Sequence, residues 1–173
     1  RGYSNLEFDL DSGARGSRDT HTEQILCQLT GAEAALVVNN NASALLLALT
    51  ALTRRKEVIV SRGEAVEIGG SFRIPDVMRQ SGAKLVEIGT TNCTYINDYE
   101  QAINSRAAAL MRVHSSNFRI TGFTHSVDIE ELVTISRQYD LPLIDDLGSG
   151  CFLEITTFGL APEPTVQQSV SAG

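Results

Sequence analysis

The sequence predicts an α/β domain in which a mainly parallel sheet carries helices on both faces. The first observation is size: 173 residues, 42% of them hydrophobic and 20% charged, are enough for one domain with its own core. The second is order, because short apolar runs alternate with segments of helical periodicity from residue 34 onward. The third is that polar residues cluster directly after these runs. Such alternation is typical of right-handed crossovers between parallel strands.

The first 30 residues form a lead-in before the sheet. Hydrophobic and acidic residues alternate over 6–11, and a turn rich in glycine and arginine follows at 13–18. Thr20 and Glu23 have the spacing of a capping box, and Gly31 is a typical helix stop. We therefore expect a helix over 20–30.

The remainder, 31–173, contains the predicted sheet and its crossover helices. Five apolar runs predict buried strands at 35–38, 58–60, 85–88, 109–113 and 141–144. Helical patterns lie between them at 42–52, 66–81 (with Pro75 starting a new turn), 97–104 and 128–139. A stretch with two prolines, 161–164, is the first linker-like segment.

Composition excludes several classes of function. A net charge of −7 gives the chain no basic surface for nucleic-acid phosphates, and the longest apolar stretch, 42–52, is too short to span a membrane. Three widely separated cysteines without a Cys/His cluster favour neither a disulfide framework nor a metal site. These features are typical of a reducing cytoplasm.

Polar residues follow four of the five runs. In an open parallel sheet the ligand lies beyond the carboxyl ends of the strands, so these residues would line one crevice. They are 39–43, 61–64, 114–117 and 145–150.

The loop Asn40, Asn41, Ala42 and Ser43 enters a predicted helix. Free N–H groups at a helix N-terminus, with amide and hydroxyl side chains, can bind a phosphate. The loop lacks the glycine spacing of ATP- and NAD-binding motifs. An Asn-rich helix cap with no ligand fits the same pattern.

Asp145 and Asp146 end the fifth run, where a carboxylate can pair with a protonated ring nitrogen, bind Mg²⁺ or act as a base. Alternatively one of them, Asp145 in particular, caps the glycine-rich loop that follows. His114 is the histidine placed directly at a strand end. Neither a Ser-His-Asp triad nor a nucleophile elbow can be assembled.

Three arginines, Arg15, Arg18 and Arg62, are candidates for contact with an anionic substrate. Exposed arginines are more often simply solvated.

A phosphate cradle, an aspartate at a strand end and an asparagine in one crevice are used together by one cofactor. Pyridoxal phosphate needs a phosphate site, an acid beside its pyridine nitrogen, a donor to its phenolate oxygen and a lysine. The sequence offers candidates for the first three.

At these motifs the chain resembles bacterial selenocysteine synthase, the L-seryl-tRNA(Sec) selenium transferase family. The matching stretches cover nearly the whole chain, and the block 66–78 is the most specific. They are 6–10 with 15–18, 29–33, 38–42, 60–64, 66–78, 89–92, 113–118 with 122–124, and 146–150.

The resemblance implies the large-domain fold of fold-type-I pyridoxal phosphate enzymes and particular site residues. Asn40–Ser43 match the phosphate cup, and Asp146, rather than Asp145, matches the aspartate on the pyridine nitrogen. Asn117 resembles the asparagine near the phenolate oxygen, and 114–116 (His114, Ser115, Ser116) line the same loop.

The chain departs from the family's pattern at the lysine that forms the Schiff base with the cofactor. It lies in a motif that follows the position matching the end of this chain, and neither Lys56 nor Lys84 matches it. The resemblance thus implies the front half of the cofactor-binding domain, without the N-terminal tRNA-recognition domain or the C-terminal small domain. We expect the 173 residues alone to be inactive.

The implied activity converts seryl-tRNA(Sec) to selenocysteinyl-tRNA(Sec) with selenophosphate, in a cytoplasmic homo-oligomer whose tRNA contacts lie mainly outside this segment. Two alternatives remain at this point. One is a related pyridoxal phosphate lyase acting on a small amino acid or amino sugar, and the other is a catalytically silent fragment.

Overall fold

A computed structural model describes residues 2, 4–67, 69–70 and 72–173. The strands are β1 (Phe8–Asp9), β2 (Ala14–Arg15), β3 (Glu57–Ser61), β4 (Lys84–Ile88), β5 (Ala107–Val113) and β6 (Leu143–Asp146). The helices are α1 (Thr20–Thr30), α2 (Asn41–Thr53), α3 (Ile74–Ser81), α4 (Ile96–Ala102), α5 (Ile129–Gln138) and α6 (Val166–Ala172). Short 3₁₀ helices cover Arg62–Glu64 and Ile155–Phe158.

The central sheet has the strand order β4-β3-β5-β6, and every neighbouring pair is parallel. The register places Ser61 beside Ile88 at one end, and Val113 beside Asp146. All four carboxyl ends therefore lie at the same edge of the sheet, as predicted for the polar crevice.

Helices cover both faces of this sheet, which confirms the predicted α/β class. Because side chains alternate along a strand, Val58 and Val60 pack into the core formed with α2 and α3. Ile59 and Leu110 face the other way, into the core formed with α4 and α5. All four side chains are fully buried.

The predicted strand 35–38 is wrong. Leu36 and Val37 are 63% and 49% exposed, and the segment pairs with no strand of the described residues. A buried strand needs a neighbour for its backbone groups, and in the described chain the parallel sheet ends at β4 and β6. Apolar composition alone does not supply that neighbour.

In the lead-in, the two-residue strands β1 and β2 pair as an antiparallel hairpin. Helix α1 follows with the predicted bounds. The predicted capping box is wrong, because the N-cap position falls one residue earlier, at Asp19, whose side chain makes no cap hydrogen bond. The Asp19 carbonyl accepts the Glu23 N–H at 2.8 Å, so Thr20 lies inside the helix. Gly31, with a φ of +78°, ends the helix as predicted.

The predicted helix over 66–81 is too long, and Ile68 and Ser71 within it lie outside the described residues. An antiparallel bridge joins Glu67 to Arg73, and their side chains form an ion pair at 2.7 Å. The helix begins only at Ile74, with Pro75 in its first turn. The remaining predicted helices and strands agree with the structure to within a few residues.

The described helices include none with the length and hydrophobicity needed to cross a bilayer.

Candidate active site

The N-terminus of α2 reaches the carboxyl edge of the sheet. Asn40 caps this helix: its Oδ1 accepts the Ser43 N–H at 2.8 Å and its carbonyl accepts the Ala44 N–H at 3.1 Å. The backbone N–H groups of Asn41 and Ala42 have no backbone or side-chain acceptor within the described ranges. Two donors at the positive end of a 13-residue helix are thus available to an anion.

Asp146, the last residue of β6, lies beside this helix end and is only 6% exposed. Its Oδ1 accepts a hydrogen bond from Asn41 Nδ2 at 2.7 Å. Its Oδ2 is buried and has no partner among the residues that the structure describes. Burial raises the pKa of this carboxyl, and the Asn41 hydrogen bond opposes that shift. An unpartnered buried oxygen fits a donor from a bound molecule.

The loop after β5 packs against the loop after β6. The His114 N–H donates to the Asp146 carbonyl at 3.0 Å, and the Ser116 N–H donates to the His114 carbonyl at 2.9 Å. A Cβ at Gly148 would lie 3.1 Å from Ser116 Oγ, so the two loops approach closely at this glycine. The structure therefore brings the His114 backbone to that of Asp146, and Ser116 to Gly148 in the loop after β6.

The His114 side chain is mostly buried. Its Nε2 lies 3.6 Å from Glu163 Oε2, and its Nδ1 has no hydrogen-bond partner within the described chain. Glu163 comes from the proline-flanked linker, which packs back onto the site instead of leaving it. Sequence reasoning missed this residue, since nothing in a linker motif indicates a contact with a strand end 49 positions earlier.

A cavity of about 430 Å³ opens beside this region, at the ends of β3, β4 and β5. Glu64, which is half-buried, lines it, and its Oε2 accepts the Val113 N–H at 3.0 Å. Burial raises the pKa of Glu64 to about 7. The sequence placed Glu64 in the polar crevice without indicating this backbone contact.

His125 also lines the cavity and lies in the segment before α5. Its Nδ1 lies 2.8 Å from the Thr94 carbonyl, and its ring stacks on Tyr95 with centroids 4.3 Å apart. A carbonyl only accepts, so Nδ1 carries the proton and Nε2 is the basic nitrogen in the neutral ring.

The three candidate arginines and Asn117 are all exposed. Arg15 and Arg18 both form ion pairs with Glu7, the first at 3.0 Å. Arg62 lies in the 3₁₀ helix after β3. The structure thus gathers two of the arginines around one carboxylate in the lead-in.

Asp145 does not cap the glycine-rich loop, and that expectation is wrong. Its carboxylate accepts the Ser169 hydroxyl from α6 and lies 3.6 Å from Arg112 Nη1. The alternation of side chains along β6 sends Asp145 and Asp146 in opposite directions. Each carboxylate has one buried oxygen without a hydrogen-bond partner in the described residues, Asp145 Oδ1 and Asp146 Oδ2. Only that of Asp145 lies beside a cation of the chain, Arg112.

Solved structures define the class of this fold. The chain is similar to D-glucosaminate-6-phosphate ammonia-lyase, with a TM-score of 0.67 and 22% identity over 93% of this chain and 53% of that one. It is also similar to O-acetylhomoserine sulfhydrylase of Wolinella succinogenes, with a TM-score of 0.57 and 19% identity over 71% and 33%. The chain shares its α/β fold with these two enzymes.

The family follows from the sequence comparisons. The family model for L-seryl-tRNA selenium transferase matches residues 1–173. The chain is 63% identical over 172 residues to the L-seryl-tRNA(Sec) selenium transferase of Geobacter sulfurreducens, and 63% identical over 171 to that of Nitratidesulfovibrio vulgaris. These matches cover 99% of the chain and 37% and 36% of the relatives. The chain therefore belongs to the L-seryl-tRNA selenium transferase family.

Proposed function

We propose that the full-length protein converts seryl-tRNA(Sec) to selenocysteinyl-tRNA(Sec) with selenophosphate, using pyridoxal 5'-phosphate. The names of the relatives support the activity. The observation that supports pyridoxal phosphate as the cofactor is the state of Asp146. This buried carboxylate has one oxygen bound by Asn41 and the other unpartnered in the described structure. We assign this chain the phosphate cup and the pyridine-nitrogen aspartate.

The residues present fit the cofactor at two points. The N–H groups of Asn41 and Ala42 would hold its phosphate at the α2 terminus. Asp146 Oδ2 would accept the ring N–H and keep that nitrogen protonated. When bound, pyridoxal phosphate supplies an electron sink for charge on the substrate α-carbon.

The remaining assignments concern the loop after β5. His114 and Ser116 would line the cofactor site, and Asn117 would approach the phenolate oxygen. His114 Nε2 also lies 3.6 Å from the carboxylate of Glu163. A similar fold, a putative O-acetylhomoserine (thiol)-lyase from Campylobacter jejuni, carries a pyridoxyl-lysine in its solved structure (TM-score 0.56, 21% identity). The matching lysine of this protein would come from outside the 173 residues.

Partners and placement belong to the same proposal. The chain carries a net charge of −7, so its contacts with seryl-tRNA(Sec) would lie mainly in other parts of the protein. Arg15, Arg18 and Arg62 would be the candidates for an anionic group of the substrate. We further propose a cytoplasmic homo-oligomer, with 1–30 as the lead-in and 31–173 as the front half of the cofactor-binding domain.

The test uses the full-length protein loaded with pyridoxal phosphate. Supplied with seryl-tRNA(Sec) and selenophosphate, it should form selenocysteinyl-tRNA(Sec). Alkylation of the selenol, mild alkaline cleavage of the aminoacyl ester and mass spectrometry of the released amino acid detect this product. The Asp146→Asn variant should form little, whereas Asp145→Asn, changed in the neighbouring carboxyl, should retain activity. Release of ammonia from a free amino acid or amino sugar, with no reaction on the tRNA, would identify a lyase instead.

A further inference from the structure

The hydrogen bond between Asn41 and Asp146 joins the two parts of the candidate site. We propose that Asn41 is a positioning residue, whose side-chain amide orients the Asp146 carboxylate and keeps it ionised for the cofactor's ring nitrogen. This inference rests on the proposed function. It assigns Asn41 a role through its side chain that is separate from phosphate binding.

Geometry supports this role. Asn41 is the first residue of α2 and Asp146 is the last residue of β6, so both side chains have rigid elements behind them. Their contact, at 2.7 Å, spans 105 positions of sequence. It engages only Oδ1, so it fixes the carboxylate and leaves Oδ2 for another donor.

Electrostatics gives the contact a chemical purpose. Desolvation raises the pKa of Asp146, and the neighbouring charge of Asp145 raises it further. The Asn41 hydrogen bond and His114 act in the opposite direction. The amide is the one side-chain hydrogen-bond donor to Asp146 in the described part of the chain. Without it, a carboxyl that must be ionised to pair with a pyridinium would more readily take up a proton.

The same residue can serve both ends of the cofactor. The Asn41 side chain is occupied by Asp146, while its backbone N–H remains available at the helix N-terminus. Substituting the side chain leaves the backbone donor in place. The effect of Asn41→Ala is therefore expected to pass through Asp146 alone.

A double-mutant cycle on cofactor affinity tests this dependence. The dissociation constant of pyridoxal phosphate is measured by absorbance titration for the full-length protein, Asn41→Ala, Asp146→Ala and the double variant. Asn41→Ala should weaken binding about tenfold, as expected for loss of a hydrogen bond to a charged group. In the Asp146→Ala background the same change should have no further effect. The loss of cofactor affinity caused by Asn41→Ala should also grow as pH falls, because Asp146 becomes protonated.

Asn97→Ala is the matched control, since Asn97 is an exposed asparagine in the first turn of α4. It should bind the cofactor as the unsubstituted protein does, and circular dichroism should show all variants folded. Equal weakening by Asn41→Ala in both backgrounds would overturn the inference and leave the proposed function standing. Failure of the unsubstituted protein to bind pyridoxal phosphate would overturn the proposed function itself.

Discussion

Glu64 and Asp146 are both carboxyls at the carboxyl edge of the sheet, and their surroundings differ. Glu64 follows β3 and accepts a backbone N–H from β5, the neighbouring strand. Asp146 ends β6 and accepts an amide from α2, a side chain of the proposed cofactor loop. Burial raises the pKa of both groups. The first contact holds the sheet edge together, whereas the second leaves an oxygen for a ligand.

The difference shows how two acids in one crevice divide structural and binding roles. Val113 is 3% exposed, so its N–H would lose its partner if Glu64 were absent. Asp146 already has an oxygen without a partner in the described residues, a cost that a ligand can offset. Substitutions at Glu64 should therefore change stability, and substitutions at Asp146 should change cofactor affinity.

The largest expected effect is that of Asp146→Asn on cofactor binding. Replacing the charge that would pair with the pyridinium should weaken the binding of pyridoxal phosphate by about 100-fold or more. Absorbance titration of the full-length protein measures this. Asp145→Asn is the control, because that carboxylate is bound to Ser169. Equal affinities of the two variants for pyridoxal phosphate would show that Asp146 has no binding role that Asp145 lacks.

Glu64→Ala should destabilise the sheet by about 2 kcal/mol, because it leaves the buried Val113 N–H without an acceptor. Hydrogen exchange of the β5 amides reports this within the full-length protein. Glu64→Gln keeps an oxygen acceptor of the same size and should cost less. If the β5 amides of the alanine variant exchanged at the same rate as those of the unsubstituted protein, the Glu64 contact would not stabilise the sheet edge.

Stability should depend on pH through Glu64. Its pKa rises from 4.5 to about 7 on folding, so the folded state binds the proton more tightly between these values. The contribution to stability is full below pH 4.5 and is lost as pH rises through about 7. Linkage makes this loss about 3 kcal/mol. In Glu64→Gln the decline in protection of the β5 amides should be smaller, and an unchanged decline would assign it to another group.

The smallest expected effect is that of Asn40→Ala, which removes the cap on the Ser43 N–H. A lost N-cap costs about 1 kcal/mol, seen as faster exchange in the first turns of α2. Asn40→Asp keeps the acceptor oxygen and is the matched control. Faster exchange in the aspartate variant as well would show that the cap is not what holds this helix end.

Much of the fold could be predicted because the determining signal is local. The runs that become β3, β4 and β5 are apolar and bounded by polar residues, and the crossover helices between them show their own periodicity. Segment 35–38 has the same apolar character and forms no strand, because strand formation depends on a neighbour. The predicted capping box is wrong for a smaller reason, since the helix begins one residue earlier than the box requires, with Asp19 at the N-cap position.

The candidate site was predictable at the level of loops and not of contacts. Residues that follow parallel strands meet at one edge, which is why Asn40–Ser43 and Asp146 could be placed in one crevice. The bond between Asn41 and Asp146 spans 105 positions, and no spacing rule indicates it. The approach of Glu163 to His114 likewise depends on how the chain folds back after β6.

The most direct test of the central claim is a crystal structure of the full-length protein grown with pyridoxal 5'-phosphate. We predict that the phosphate lies at the N–H groups of Asn41 and Ala42 and that the ring nitrogen lies within hydrogen-bond distance of Asp146 Oδ2. A cofactor bound instead in the cavity beside Glu64 and His125, with Asp146 Oδ2 still unpartnered, would contradict the account.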